Sequence, residues 1–297
     1  MATVDPHLMS ACDVSIDIDA TLLTQLERIQ KLFIRRLLGV ANRSPVALLF
    51  SETGMWPVKY RRITLALRYW QYALSLPDNH FPSYAMADSF NLHRPVLIDL
   101  TRQWLPGDID NVVTAVEQSC LLDIESFISE SSKALLLHYR SHSRLETRTP
   151  AARNSPILSY RAYLNVPIPA HRKALIRLLT SSHTLAVEVL RWAERRRPPV
   201  PRSERLCRFC RSEVEDEAHV LLYCNGSRTL EDLRSQFFQT IFHLADRQFR
   251  IDLCSAASGY EIIHILLGAD KNEIVGALAK YVFDVFRIFS SVPLYCP

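Results

Sequence analysis

Glycine is scarce in this chain, 7 of 297 residues. Phosphate-cradling loops and dinucleotide fingerprints are built from closely spaced glycines, because only a residue without Cβ lets the backbone approach a phosphate. None of those patterns is present, nor is a nucleophile elbow. No apolar run approaches the roughly 18–20 residues that a bilayer-spanning helix needs, so no membrane partner is expected. The opening Met-Ala-Thr-Val-Asp-Pro has neither a basic region nor an apolar core. No secretory signal is read there, and an intracellular, reducing compartment is the expectation. The seven cysteines are too loosely placed for a disulfide framework. In a reducing compartment a close pair points instead to metal or redox chemistry.

Such a pair is present. Cys207, Cys210, His219 and Cys224 read C-x2-C-x8-H-x4-C. Two thiolates on a tight turn, then an imidazole and a third thiolate on a short apolar stretch, supply the donors of a closed tetrahedral Cys3His zinc site. Four protein ligands leave no open position for water, so zinc here is expected to be structural and not catalytic. It lets a small, loop-rich segment fold without a large core. A redox CxxC usually opens a helix after a strand, and no strand is evident before Cys207. A chance cluster of thiols around a core histidine is the remaining alternative. Cys12, Cys120, Cys254 and Cys296 are read as ordinary thiols, and His171 and His183 as histidines without evident partners.

Net charge is only +4, but it is unevenly placed. From Arg191 to Arg211 the chain carries eight arginines (191, 195, 196, 197, 202, 205, 208 and 211) against Glu194 and Glu204, a net of +6. The acidic run Glu213, Glu215, Asp216, Glu217 follows. A basic stripe leading into a zinc module is the footprint of nucleic-acid binding. The same arginines also fit a solvated linker that touches nothing. Phe209 and Tyr223 fit either base stacking or the module's own core.

The apolar periodicity is mainly α-helical. Asp19 is placed to cap a helix burying Leu22, Leu26, Ile29, Phe33 and Leu37, with Arg28, Lys31, Arg35 and Arg36 outward and Gly39 ending it. Ser44-Pro45 reads as an N-cap followed by Pro at N1, starting a short helix that Gly54 stops. Pro57 opens a helix with the stripe Tyr60, Ile63, Leu67, Trp70, Leu74, and Lys59, Arg61, Arg62 and Arg68 lie away from most of it. Residues 1–80 therefore form a helical bundle with two basic faces, which equally serve as its wet side. Residues 81–200 read as helical connection. Helices are expected near 95–105 and 110–142 with Pro106-Gly107 between them, and Thr149 to Pro156 as a linker. Further helices carry Leu175, Ile176, Leu179 and then Leu185, Val189, Trp192, before an extended Arg/Pro linker from Arg195 to Pro201. Residues 201–297 hold the zinc module and C-terminal helices, one through Leu230–Ile241 and one over 271–290. Leu253 and Ile262–Leu267 fit either a strand or a buried helix.

The order of the pieces carries a resemblance. Leu26-Glu27-Arg28-Ile29-Gln30-Lys31, Arg35-Arg36-Leu37-Leu38-Gly39, Ser44-Pro45, Glu52-Thr53-Gly54, Pro57 and Arg61-Arg62 resemble the thumb of non-LTR retrotransposon (LINE-type) reverse transcriptases. Ser182-His183-x-Leu185, the Arg/Pro linker and Arg205-Leu206-Cys207-x-x-Cys210…His219…Cys224 resemble the C-terminal Cys-Cys-His-Cys segment of the same elements. The resemblance covers most of residues 20–75 and 170–240. It implies a thumb that grips the template–primer duplex through Arg28, Arg35, Arg36, Arg61 and Arg62. It also implies a zinc module that engages RNA or DNA, with Arg195, Arg196, Arg197, Arg202, Arg205 and Arg208 on its approach, and a nuclear location. Polymerisation needs clustered carboxylates for two metal ions, which the family supplies as a paired Asp-Asp. This chain has no adjacent aspartates. The expectation is a detached C-terminal portion without polymerase activity. A helical protein-interaction module stabilised by zinc is the alternative, and an endonuclease ranks last because the acidic residues after Cys224 show no such spacing.

Overall fold

The computed structural model describes residues 5–10, 20–42, 44–77, 79–91, 106–131, 136–137, 157–193, 198–269 and 271–296. The fold is mainly α. Among the described residues there is no strand, and the β structure is an isolated antiparallel bridge between Leu206 and Val214. No helix of the described residues is long and apolar enough to cross a membrane.

The first half comprises α1 (Asp5–Met9), α2 (Ala20–Leu38), α3 (Val46–Thr53), α4 (Val58–Ser75), α5 (Phe81–Asn91) and α6 (Pro106–Glu130). Helix α4 packs on α6 and α2, and α3 packs on α6 and α2. Gly39 and Gly54 end α2 and α3 in the left-handed region, as their position after the apolar runs predicts. At Gly54 space matters too: a Cβ there would come within 2.7 Å of the Tyr160 backbone nitrogen. The buried face of α2 differs from the expected stripe. Gln30, Ile34 and Leu38 point inward, while Leu22, Ile29 and Leu37 are exposed. The reason is polar: Gln30 donates Nε2 to Trp56 O (2.9 Å) and accepts Val58 N–H at Oε1 (3.0 Å), locking α2 to the start of α4. Ser44 does not cap α3. Its hydroxyl meets that of Ser182 at 2.8 Å, and Pro45 occupies the N-cap. Pro106 lies in the first turn of α6, and that helix ends at Glu130. The helix expected near 95–105 and the linker Thr149 to Pro156 lie outside the described residues.

The second half contains a 3-10 turn (Ala162–Asn165), α7 (Pro169–Leu179), α8 (Ala186–Val189), a 3-10 turn (Arg202–Glu204) and a π turn (His219–Tyr223). Helices α9 (Arg228–Leu244), α10 (Arg247–Ser255), α11 (Gly259–Leu267) and α12 (Asn272–Ser290) complete it. Both ambiguous apolar runs are helices. Asp246 caps α10 by accepting Phe249 N–H, and Ser258 caps α11 by accepting Glu261 N–H. The helix expected through Leu185, Val189 and Trp192 is a single turn, α8, and Trp192 is exposed.

Helix α12 organises this half. Its Leu278, Ala279, Val282, Val285 and Phe289 are buried, and it packs on α7, α9, α11, the 162–165 turn and the π turn. Phe237 of α9 stacks on Tyr281 at 4.2 Å. One apolar cluster runs from Ile34 through Cys120, Leu175 and Cys207 to Phe289. Its members come from all three stretches read in the sequence.

Candidate metal centre

Residues 205–215 form a tight hairpin. Cys207 N–H bonds Glu213 O (2.8 Å), Glu215 N–H bonds Arg205 O (2.9 Å), and Arg211 takes a left-handed φ of 57° at the tip. This turn presents Cys207 and Cys210. The other two donors come from the π turn. Five residues along an α-helix lie about 140° apart around its axis, which would send His219 and Cys224 in different directions. Here Cys224 N–H bonds His219 O (2.8 Å), an i→i+5 closure that places the two one turn apart. Asp216 Oδ1 accepts His219 N–H (3.0 Å) and starts the turn.

The four donor atoms lie within 4.8 Å of one another, so the cluster could hold a metal ion. Cys207 Sγ is 3.6 Å from Cys224 Sγ, and Cys210 Sγ is 3.4 Å from His219 Nε2. A disulfide needs about 2.05 Å, so Cys207 and Cys224 are thiols. The hydrogen bond to Cys224, then burial, push the Cys207 thiol up to about 12. The same hydrogen bond holds Cys224 below its ordinary value, against burial. Burial opposes a charge on His219, yet bonds and charge from Cys207 and Cys210 raise it. Three sulfurs and one imidazole nitrogen thus converge as the donor types that a soft or borderline cation takes.

Groups that the sequence reading missed hold this cluster in place. Gly226 lies over the knuckle, and a Cβ there would come within 2.6 Å of Cys210 N and 2.7 Å of Phe209 C. Arg234 of α9 donates to Leu221 O (3.1 Å) and Cys224 O (2.7 Å), and the Tyr281 hydroxyl also donates to Leu221 O. Proximity of a glycine to Cys224 was the one visible signal. The roles of Arg234 and Tyr281 depend on long-range packing.

The predicted basic residues divide. Arg208 is buried and not part of a surface stripe. Its five N–H donors go to Glu215 through Nε and Nη2, to Phe289 O and Val292 O through Nη1, and to Thr184 O through Nη2. Glu215 in turn accepts Ala186 N–H (2.8 Å) and Arg208 N–H (2.9 Å). Arg62 is likewise buried, against the expected basic outer face of α4, and donates to Leu8 O. Arg35 is half-buried and bonds Ser44 O (3.2 Å); burial holds its guanidinium below the ordinary value. Arg28, Arg36 and Arg202 are exposed, and Arg61 and Arg205 are half-buried. Arg195, Arg196 and Arg197 lie outside the described residues.

His183 has a partner that its sequence context did not reveal. Its Nε2 lies 2.9 Å from Glu217 Oε1, and the Tyr260 hydroxyl donates to Glu217 Oε2 (3.2 Å). Burial alone would raise the Glu217 carboxyl; bonds and charge from His183, with the backbone and Tyr260, hold it below the usual range. Phe209 packs edge-on against Phe289 at 4.9 Å, so it belongs to the core, whereas Tyr223 is exposed.

No protein-family model, curated protein or solved structure matches this chain.

Proposed function

We propose that this chain is a zinc-stabilised, non-catalytic nucleic-acid-binding portion of a non-LTR retrotransposon-type RNA-directed DNA polymerase. The observation that carries it is the four-donor cluster at the end of the arginine-rich stretch. Zinc bonds thiolate sulfur at about 2.3 Å and imidazole nitrogen at about 2.0–2.1 Å. Tetrahedral angles then put sulfurs about 3.8 Å apart and sulfur about 3.6 Å from nitrogen. The separations of 3.6 and 3.4 Å support an ion of that size and geometry. Bound there, zinc would tie the hairpin to the π turn through Cys207, Cys210, His219 and Cys224, and would perform no reaction. Arg28 and Arg36 on α2 and Arg202 beside the knuckle supply exposed positive charge for RNA or DNA. The lack of adjacent aspartates supports a role without polymerase chemistry.

The test is binding of the zinc-loaded chain to single-stranded RNA and to duplex DNA across a salt series. Affinity is expected to fall steeply with salt, by a slope of about −0.7 to −0.9 per phosphate contacted. Binding that is absent, or flat with salt, sinks the reading. A second reading, a helical protein-interaction module, is favoured by exposed Leu22, Ile29 and Leu37 on α2. Nuclease-insensitive capture of one protein partner, without RNA or DNA affinity, would support it.

A further inference from the structure

Two stretches of the chain carry charge of one sign only. From Arg28 to Ser51 there are five Lys or Arg and no Asp or Glu. From Ile157 to Val187 there are four Lys or Arg and again no Asp or Glu. The fold brings the two together. Arg35 Nη2 donates to Ser44 O (3.2 Å), the Ser44 and Ser182 hydroxyls meet at 2.8 Å, and Ser182 N–H donates to Arg177 O (2.8 Å). Three hydrogen bonds thus run from the last turns of α2 to α7. Lys173 makes a second contact. A Cβ added at Gly39, which ends α2, would come within 3.0 Å of Lys173 Cδ and Cε, so the lysine stem crosses the end of that helix.

Part of this charge is already committed. Lys31 pairs with Glu27 (2.7 Å), and Arg161 lies 3.7 Å from Glu52. Arg35 and Arg172 donate to the carbonyls of Ser44 and Val166. On α12, which packs on α7, Asp284 is held by Lys280 (2.9 Å) and Arg287 (3.7 Å). Arg36, Lys173 and Arg177 are left. All three are exposed, and none has a carboxylate partner among the described residues. Lys173 and Arg177 are one turn apart on α7, with Cβ atoms about 5–6 Å from each other. Arg36 stands three residues before Gly39, and the exposed Arg28 lies about 12 Å back along α2. Other surface helices mix their signs, as α9 does with Arg228, Glu231, Asp232 and Arg234. A junction of one sign repels itself and attracts a polyanion.

We propose that Arg36, Lys173 and Arg177 form one nucleic-acid-binding surface across the junction of α2 and α7, taking the sugar–phosphate backbone of a strand. It rests on the nucleic-acid-binding reading above and adds the α7 side to it. Exposed ammonium and guanidinium groups contact phosphate oxygens and leave the bases unread, so binding there is independent of base sequence. A strand suits a row of cations because every phosphate neutralised releases counterions.

The test uses the full zinc-loaded chain and a fluorescein-labelled single-stranded RNA, titrated across a salt series. The unaltered chain is compared with Lys173→Gln, Arg177→Gln, the two together and, as a control for losing one exposed charge elsewhere, Arg247→Gln on α10. In parallel, lysine acylation by an N-hydroxysuccinimide ester is mapped by mass spectrometry with and without RNA. Each single α7 variant is expected to bind severalfold more weakly and to lower the salt slope by about 1, and the pair by about 2. Arg247→Gln is expected to stay close to the unaltered chain. RNA is expected to protect Lys173 from acylation and to leave Lys271 open. Should a variant fold poorly, protection of Lys173 in the unaltered chain decides. Unchanged affinity and slope in the double variant, with Lys173 labelled equally in RNA, would overturn the surface while leaving nucleic-acid binding intact. If the unaltered chain binds phosphatidylserine vesicles and no RNA, or neither, the surface and the reading beneath it both fail.

Discussion

At the scale of single residues, the deepest electrostatic contact is Arg208 with Glu215, whose side chains are 4% and 0% exposed. Burying a pair of charges stabilises little by itself, because desolvation offsets their attraction. Removing one partner is different, since the other is left charged in the interior. Glu215→Ala is expected to destabilise the protein by about 3–5 kcal/mol, measured by urea unfolding. It also strips the acceptors from Ala186 N–H and Arg208 N–H. Arg202→Ala provides the contrast. Its pair with Asp216 is solvated, and a loss of about 0–1 kcal/mol is expected in the same assay. Equal effects of the two substitutions would contradict the burial described above. The sequence displayed the arginine run and the acidic run as two separate patches. The hairpin brings them together: Glu215 meets Arg208, Asp216 meets Arg202, and Glu217 turns to His183. Counting charge along a chain reports its sign and density, but not which charges are cancelled after folding. That is why the convergence of Cys207, Cys210, His219 and Cys224 was legible and the exposed part of the basic stripe was not.

At the scale of helices, α2 shows how an apolar pattern can be readable in type and ambiguous in face. Leu and Ile are so frequent in ATLLTQLERIQKLFIRRLL that two stripes satisfy the 3–4 spacing. The buried one begins at a glutamine, whose amide joins α2 to Trp56 and Val58. A hydrophobic count discards this polar residue, although its amide fixes the rotation of the helix. Ile34→Ala should therefore cost about 2–5 kcal/mol, whereas Ile29→Gln should stay within about 0.5 kcal/mol. Gln30→Ala should cost about 1–3 kcal/mol by leaving Val58 N–H without its acceptor. Chemical denaturation of the three variants checks the register; a larger loss at Ile29 than at Ile34 would reverse the assigned face. Helix ends were easier to read. Glycine at 39 and 54 ends α2 and α3 because the left-handed conformation is inexpensive only without a Cβ. The π turn had no such signature. Its i→i+5 closure follows from the demand that His219 and Cys224 converge with the CxxC turn, a tertiary constraint that local propensity does not encode.

At the scale of the molecule, the Cys/His cluster is coupled to the rest through α12. Phe209, between the paired cysteines, packs on Phe289, and Arg208 bonds the carbonyls of Phe289 and Val292 at the C-terminal end of α12. Helix α12 in turn covers α7 and α9, and the cluster's buried thiols belong to the same apolar core as Ile34. A module hung on a linker would lose only its own structure when its metal is removed. This arrangement predicts a wider response. Chelation of zinc, or Cys224→Ser, is expected to lower the melting temperature of the whole second half in a single transition. Amide protection should fall together in residues 205–226, α7, α9 and α12. At a zinc concentration of about 1,000 times its dissociation constant, the linked stabilisation is about 4.1 kcal/mol. The contact of α4 with α6 rests on a separate small cluster, Leu67, Ile109 and Val113, and should retain its protection longer. Hydrogen exchange with and without chelator decides between the alternatives. Loss confined to residues 205–226 would mean that the knuckle folds apart from α12. Loss along α12 and α7 would mean that the ion supports the core as well as the loops that bind it.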